Sequence, residues 1–207
     1  DGQQLNLACG TDKLGGIDKF ACNLQHSRKL FMRKLVLTLF ALTFAAGYTL
    51  AQNAAVKWHT IEEAEQLSKL SFKPIFIDTY TDWCGWCKKM DQETFTNPVI
   101  ADILNNNFYP VKFNAEGKEE INFFGQTFIN DGKAGKAHQL AVALLRGQLS
   151  YPTVVFLTLQ ENKLSASPVP GFRQAKDMEV LLMFFAGKAY EKQSWEEFQT
   201  SFKGRIQ

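Results

Sequence analysis

The feature that most constrains this chain is the run Asp78-Thr79-Tyr80-Thr81-Asp82-Trp83-Cys84-Gly85-Trp86-Cys87-Lys88-Lys89-Met90. Just before it, Pro74-Ile75-Phe76-Ile77 is apolar, β-branched and aromatic, the composition of a buried strand. After it, residues 84–92 contain no proline and enough Lys, Met and Gln to continue as a helix. The prediction is a strand, a tight connection and a helix whose start carries two cysteines. Backbone N–H groups at a helix N-terminus lack intrahelical partners and carry partial positive charge. A sulfur placed there deprotonates more easily, and the thiolate is the species that attacks a disulfide. Cys87 lies one helical turn beyond Cys84, near enough to close a small disulfide with it. The pair is expected to be a two-electron redox switch, with Cys84 the exposed attacking thiol and Cys87 the resolving one.

Other uses of a Cys-x-x-Cys compete with this one. A structural zinc site needs a second pair of ligands. Beyond Trp58 the remaining candidates, His59 and His138, are isolated and lack metal-site spacing, so no metal is expected. Two inert buried cysteines fit poorly, because a tryptophan stands directly before each, Trp83 before Cys84 and Trp86 before Cys87. Those tryptophans either form an apolar rim for an unfolded or extended partner or simply pack in the core, and core packing is the stronger expectation for Trp83.

At these residues the chain resembles the thioredoxin superfamily. Trp83-Cys84-Gly85-Trp86-Cys87-Lys88 follows its Trp-Cys-Gly-x-Cys-Lys motif, and Asp78 occupies the position of its buried strand carboxylate. Trp86 stands where thioredoxin itself commonly has proline, which is more similar to the extracytoplasmic thioredoxin-like and disulfide-interchange branch. The resemblance implies an α/β fold, a thioredoxin-like central mixed sheet flanked by helices. Val111-Lys112-Phe113-Asn114 resembles the superfamily strand that carries a lysine beside the carboxylate, so Lys112 would tune Asp78; an exposed strand lysine is the competing reading. Tyr151-Pro152-Thr153 resembles the cis-proline loop that sits against the cysteine pair, with an ordinary trans-proline as the alternative. Proline has no N–H for a ladder, and the backbone of Tyr151 would be left to pair with an extended substrate. Asp78, if buried beneath the pair, would have a raised pKa and accept the proton of Cys87.

The activity implied is that of a protein thiol–disulfide oxidoreductase, with no cofactor besides the Cys84–Cys87 pair. Its partners would be protein thiols and disulfides, its state monomeric, and its direction reductase rather than oxidase. A reductase in an oxidising compartment needs an external donor, for which a membrane thiol relay is expected. The alternative is a thioredoxin-fold binding or chaperone-like module with a structural disulfide.

Organisation along the chain agrees with export. Met32-Arg33-Lys34 precedes a run of apolar residues to Ala46, and Thr49-Leu50-Ala51 suits cleavage after Ala51. This reads as a signal peptide over 32–51, because a membrane span needs about 20 apolar residues. An uncleaved membrane anchor is the alternative. Residues 1–31 read as an upstream extension outside the mature protein, and Cys9 and Cys22 fall within it. From residue 52 onward, 17 Lys and Arg face 18 Asp and Glu, a net charge of −1, against +2 for the whole chain. No basic surplus remains to suggest nucleic acid. The only cysteines of 52–207 are those of the motif, and in an oxidising compartment a lone vicinal pair reads as catalytic. The expected location is therefore periplasmic or secreted, with 52–207 as one domain.

Within that domain, Thr60-Ile61-Glu62-Glu63 is a capping box opening a helix over 61–70. Asn97-Pro98 launches a helix over 99–105, and 108–114 returns as a strand. Residues 115–150 depart from thioredoxin: 121–129 suit an inserted β-hairpin about Gly125, and 138–147 a helix. The hairpin either lines a partner groove or decorates an edge. Strands are expected at 154–157 and 164–169, then a helix through Val180, Leu181, Phe184 and Phe185. A second capping box, Ser194-Trp195-Glu196-Glu197, opens an extra C-terminal helix packing Trp195 and Phe198.

Overall fold

The strand that leads into Cys84 is the pivot of the sheet. A computed structural model describes residues 55–160 and 163–207, so the predicted upstream extension and the signal peptide or anchor lie outside the described residues. The elements are α1 (Ile61–Leu70), β1 (Ile75–Tyr80), α2 (Gly85–Glu93), α3 (Pro98–Asn107), β2 (Tyr109–Asn114), β3 (Ile121–Phe123), β4 (Gln126–Phe128), α4 (Gln139–Leu144), β5 (Thr153–Gln160), β6 (Lys163–Pro170), α5 (Ala175–Ala186), a 3-10 turn (Ala189–Glu191) and α6 (Trp195–Ser201). Four strands pair in the order β2-β1-β5-β6. β1 runs parallel to β2, with Asp78 opposite Lys112, and antiparallel to β5, with Thr79 opposite Thr153. β6 runs antiparallel to β5, with Pro170 opposite Thr153.

Successive strand side chains point to opposite faces, and both faces are covered. On one face Phe76, Val154 and Phe156 pack with Met90 of α2, Leu104 of α3 and Leu182 of α5. On the other, Ile77, Val111 and Val155 pack with Ala64 of α1, Phe123 of β3 and Leu140 of α4. Fully burying one such large apolar side chain is worth about 1.5–3 kcal/mol. The two-residue period places Asp78 and Lys112 on the face of Phe76, beneath α2. This is a thioredoxin-like fold, a mixed sheet between helices with an added hairpin and an added C-terminal helix.

Local signals are realised where they were strongest. Thr60 Oγ1 accepts the Glu63 N–H at 3.1 Å while Glu63 Oε2 accepts the Thr60 N–H at 3.0 Å. Ser194 and Glu197 make the same reciprocal box. Asn97 caps α3 through the Val99 N–H. α4 stops at Leu144, short of the expected 147, because Arg146 and Gly147 adopt positive φ of 52° and 77°, which ends a helix. The hairpin β3–β4 turns through Phe124 and Gly125, also both at positive φ, as a tight two-residue hairpin requires. Glu65 of α1 accepts the Phe124 N–H at 2.8 Å, which ties the turn to the face opposite α2.

Candidate active site

Cys84 is the N-cap of α2, and its Sγ accepts the Cys87 N–H at 3.1 Å. The two sulfurs are joined, with an S–S distance of 2.04 Å. The expected exposed thiol at Cys84 is corrected: the residue keeps 4% of its surface, and Cys87 keeps 1%. Capping draws Cys84 toward the helix axis, the disulfide ties it to Cys87, and Cys87 faces inward with Met90. Cys84 remains the more accessible of the pair.

The neighbouring tryptophans stand out instead. Core packing of Trp83 is overturned, because its side chain is 65% exposed and that of Trp86 59%. The Trp83 indole N–H donates to Glu116 Oε2 at 3.1 Å, and its ring meets Tyr151 edge-on at 6.0 Å. An indole N–H with a carboxylate partner at the surface has no reason to be buried. Trp86 packs against Phe172 at 5.4 Å, and Lys89 Nζ lies 5.2 Å from the Trp86 ring. Lys89 also approaches Glu93 at 3.8 Å, so its charge is engaged on the outer side of α2.

The Tyr151–Pro152 peptide bond is cis. The pairing of Thr153 with Thr79 sets this loop at the end of β1 from which Cys84 departs. The Pro152 carbonyl accepts the Gly171 N–H at 2.8 Å, and Gly171 has a φ of 94° that favours glycine. The N–H and C=O of Tyr151 have no partner among the described residues.

Beneath α2, Asp78 is completely buried. Its Oδ2 accepts from Lys112 Nζ at 2.5 Å, while Oδ1 has no partner among the described residues. Burial pushes the Asp78 pKa up to about 6; Lys112 opposes the rise and Asp91 adds slightly to it. Lys112 also bonds the Asp91 carboxylate, and its ammonium sits against the rings of Trp58, Tyr80 and Phe95 at 5.1–5.4 Å. Burial pulls the Lys112 pKa down, but the two carboxylates outweigh it and hold the ammonium above its ordinary value. The exposed-lysine reading is thereby corrected, since Lys112 faces inward between two acids.

Two residues at this site escaped the sequence reading. Asp91 lies four residues after Cys87, helical spacing that puts an acid on the side of α2 turned to the sheet; that spacing was the available signal. Glu116 is 33 residues from the Trp83 it binds and had no local signal. His138 is spent on structure, with Nδ1 accepting the Leu140 N–H and Nε2 beside the Glu119 carbonyl. Among the described residues no group of His, Cys, Asp and Glu is arranged to hold a metal ion.

Among curated proteins, the chain is 29% identical over 125 residues to the thiol:disulfide interchange protein DsbD of Vibrio vulnificus (strain CMCP6), covering 58% of this chain and 18% of that protein. It is 31% identical over 107 residues to the uncharacterized protein B0495.5 of Caenorhabditis elegans, covering 51% of this chain and 13% of that one. The chain thus spans less than a fifth of the length of these relatives. Among solved structures, a DsbH oxidoreductase matches with 20% identity and a TM-score of 0.40 over 62% of this chain and 85% of its own. A thioredoxin from Thermus thermophilus matches with 16% identity and a TM-score of 0.47 over 67% and 98%. The family model Thioredox_DsbH, described as a protein of unknown function (DUF255), matches residues 45–199. That match covers most of the chain, cysteine pair and cis-proline loop included, and the chain belongs to the Thioredox_DsbH family.

Proposed function

We propose that this chain is a thiol–disulfide oxidoreductase that exchanges electrons with protein cysteines outside the cytoplasm, chiefly as a reductase. The observation that carries the reading is the disulfide at the head of α2, with a buried carboxylate beneath the same helix that has one oxygen without a partner among the described residues. Similarity to proteins named for thiol:disulfide interchange supports it.

In the reduced protein the Cys84 thiolate attacks one sulfur of a substrate disulfide. The substrate S–S bond breaks, a mixed disulfide forms, and the first substrate sulfur leaves as a thiolate that takes a proton from water. The Cys87 thiol then gives its proton to Asp78 and attacks Cys84 Sγ. The mixed disulfide breaks, the second substrate sulfur leaves, and the Cys84–Cys87 bond closes. Two electrons have passed from the dithiol to the substrate. With a pKa of about 6, Asp78 is mostly ionised at neutral pH yet basic enough to take the proton. A base for the resolving thiol speeds substrate release, and this supports the reductive direction. Turnover then requires an external dithiol donor, for which we propose a membrane thiol relay. Export rests on the leader-like segment 32–51.

The test is Cys87→Ala presented with an oxidised protein substrate. It should accumulate a mixed disulfide through Cys84, seen as a reductant-sensitive adduct on a gel and absent from Cys84→Ser. A protein that binds the substrate equally well and traps nothing would be a binding module with a structural disulfide.

A further inference from the structure

The surface around the disulfide has two unlike sides, and the sheet keeps them apart. Thr79, Thr153 and Pro170 pair in a row, with Tyr80 opposite Asn114 beside them, so one end of the sheet gathers the C-terminal ends of β2, β1 and β6 and the start of β5. β2 and β6 are the two edges. Cys84 follows β1 and Pro152 precedes β5, the two middle strands, and the segments leaving β2 and β6 flank them on opposite sides.

The β2 side is acidic. Asn114 Nδ2 donates to Asp82 at 3.2 Å, and its Oδ1 accepts the Glu116 N–H at 3.0 Å. Glu116 in turn holds Trp83, so two carboxylates stand beside that indole. The turn is fixed from behind, because Asn130 Nδ2 donates to the Gly117 carbonyl at 2.9 Å and to that of Lys136 at 2.8 Å. The nearby Lys112 is taken by Asp78 and Asp91 beneath the surface.

The β6 side is basic. Lys89 Nζ lies 5.2 Å from the Trp86 ring and 5.6 Å from that of Phe172. Arg173 Nη1 donates to the Phe172 carbonyl at 3.1 Å and lies beside Gly171, the residue that binds the cis-proline carbonyl. Glu93 opposes Lys89 at 3.8 Å.

We propose that this mouth is electrostatically directional and accepts an extended, cysteine-bearing protein segment with a cation on the β2 side of its cysteine and an anion on the β6 side. The inference rests on the oxidoreductase reading and adds the substrate class. Trp83 and Trp86 supply the apolar walls, and the N–H and C=O of Tyr151, without partners among the described residues, offer an extended segment a backbone rung. A segment seated on that rung in a single chain direction fits with one order of charges and not with the reverse. Complementary charges of this kind raise the encounter rate and the specificity, and salt screens them.

The reduced full-length chain is given four peptides of equal length, each joined to a quencher through a disulfide at a central cysteine. One carries Lys before and Glu after the cysteine, one the reverse, one Lys on both sides and one Glu on both. In a single turnover of the dithiol, one mixed order should be reduced with a second-order rate constant about two- to fivefold above each same-sign peptide, the range an exposed ion pair supplies, and further above the reverse order. The preference should fade at high salt. Glu116→Gln should weaken the selection for Lys and Lys89→Gln the selection for Glu, and Asp82→Lys with Lys89→Glu should reverse the preferred order. Four peptides reduced at equal rates, or a preference indifferent to these variants, would overturn the proposal while leaving the oxidoreductase reading intact. Glutathione disulfide reduced as fast as the best peptide would overturn it as well, by showing that no extended segment is needed. If neither the peptides nor an oxidised protein reacts, the oxidoreductase reading falls and takes this one with it.

Discussion

Asp78 in β1 and Glu179 in α5 are both carboxylates sealed from solvent, and the molecule treats them in opposite ways. Glu179 is satisfied at both oxygens. Its Oε1 accepts the Arg205 N–H at 2.7 Å, its Oε2 accepts the Ile206 N–H at 3.0 Å, and the Arg205 side chain approaches at 3.9 Å. It ties the C-terminal tail to α5, and Arg205 extends the tie to Asp102 of α3. Asp78 has one lysine on one oxygen and, among the described residues, nothing on the other. A buried polar group without a partner is costly, and such a cost concentrates where a group has chemistry to perform. The difference teaches that burial alone does not set a carboxylate's role: Glu179 is spent on structure, whereas Asp78, with an oxygen left open beneath α2, is the acid proposed above to serve Cys87.

The largest effect expected from this contrast is kinetic. On the proposed mechanism, Asp78→Asn removes the base for Cys87 and should slow release of substrate from the mixed disulfide about 100-fold at neutral pH, the low end of what a general base contributes. Glu179→Gln should leave that rate unchanged. Single-turnover measurement of substrate release in the two variants decides it, and equal rates would erase the distinction.

Stability should separate the same two residues in the opposite sense. The folded-state pKa of Asp78, about 6, lies above the ordinary 3.8, so the folded protein holds this proton more tightly than the unfolded chain does. Folding is therefore favoured below pH ~4, and that advantage is lost as pH rises through ~6, about 3 kcal/mol in all. Asp78→Asn should unfold at higher urea than the parent at pH 8 and lose most of this pH dependence. Glu179→Gln should be less stable by about 1–3 kcal/mol, since its amide donates where a backbone N–H expects an acceptor. Urea titrations at pH 4 and pH 8 give both answers.

How much the sequence made legible depends on the range of each interaction. The two capping boxes, the Asn97 cap and the strand before Cys84 involve neighbours within about four residues, and each stands where the pattern put it. The Asp78–Lys112 pairing is non-local, yet it was accessible through the family resemblance. Trp83 was not, because its exposure depends on Glu116, beyond the reach of any helical or strand period. Glu179 was equally hidden: it interrupts the apolar stretch from Met178 to Phe185, and its burial makes sense only once the tail at Arg205 and Ile206 folds back onto it. The inserted segment shows both behaviours. Its hairpin was readable from two β-prone arms about a glycine, whereas the hold of Asn130 on the Glu116 turn was not.

The smallest effect concerns how the free Asp78 oxygen is tuned. Asp91 shares Lys112 with Asp78 but is 42% exposed at its side chain, and its negative field is the least of the influences on Asp78. Asp91→Asn removes that field, which lowers the Asp78 pKa, and releases Lys112 to Asp78 alone, which lowers it again. Both changes have one sign, and solvent screening keeps them small. The acid limb of the substrate-release rate should therefore move to lower pH by well under one pH unit, with little change at pH 7, where Asp78 is already mostly ionised. A limb that moved to higher pH would mean that Asp91 serves to hold Lys112 against Asp78, because losing the lysine is the change that would raise the carboxylate's pKa further. The direction of that small displacement separates an acid competing for the lysine from one that keeps the lysine in place.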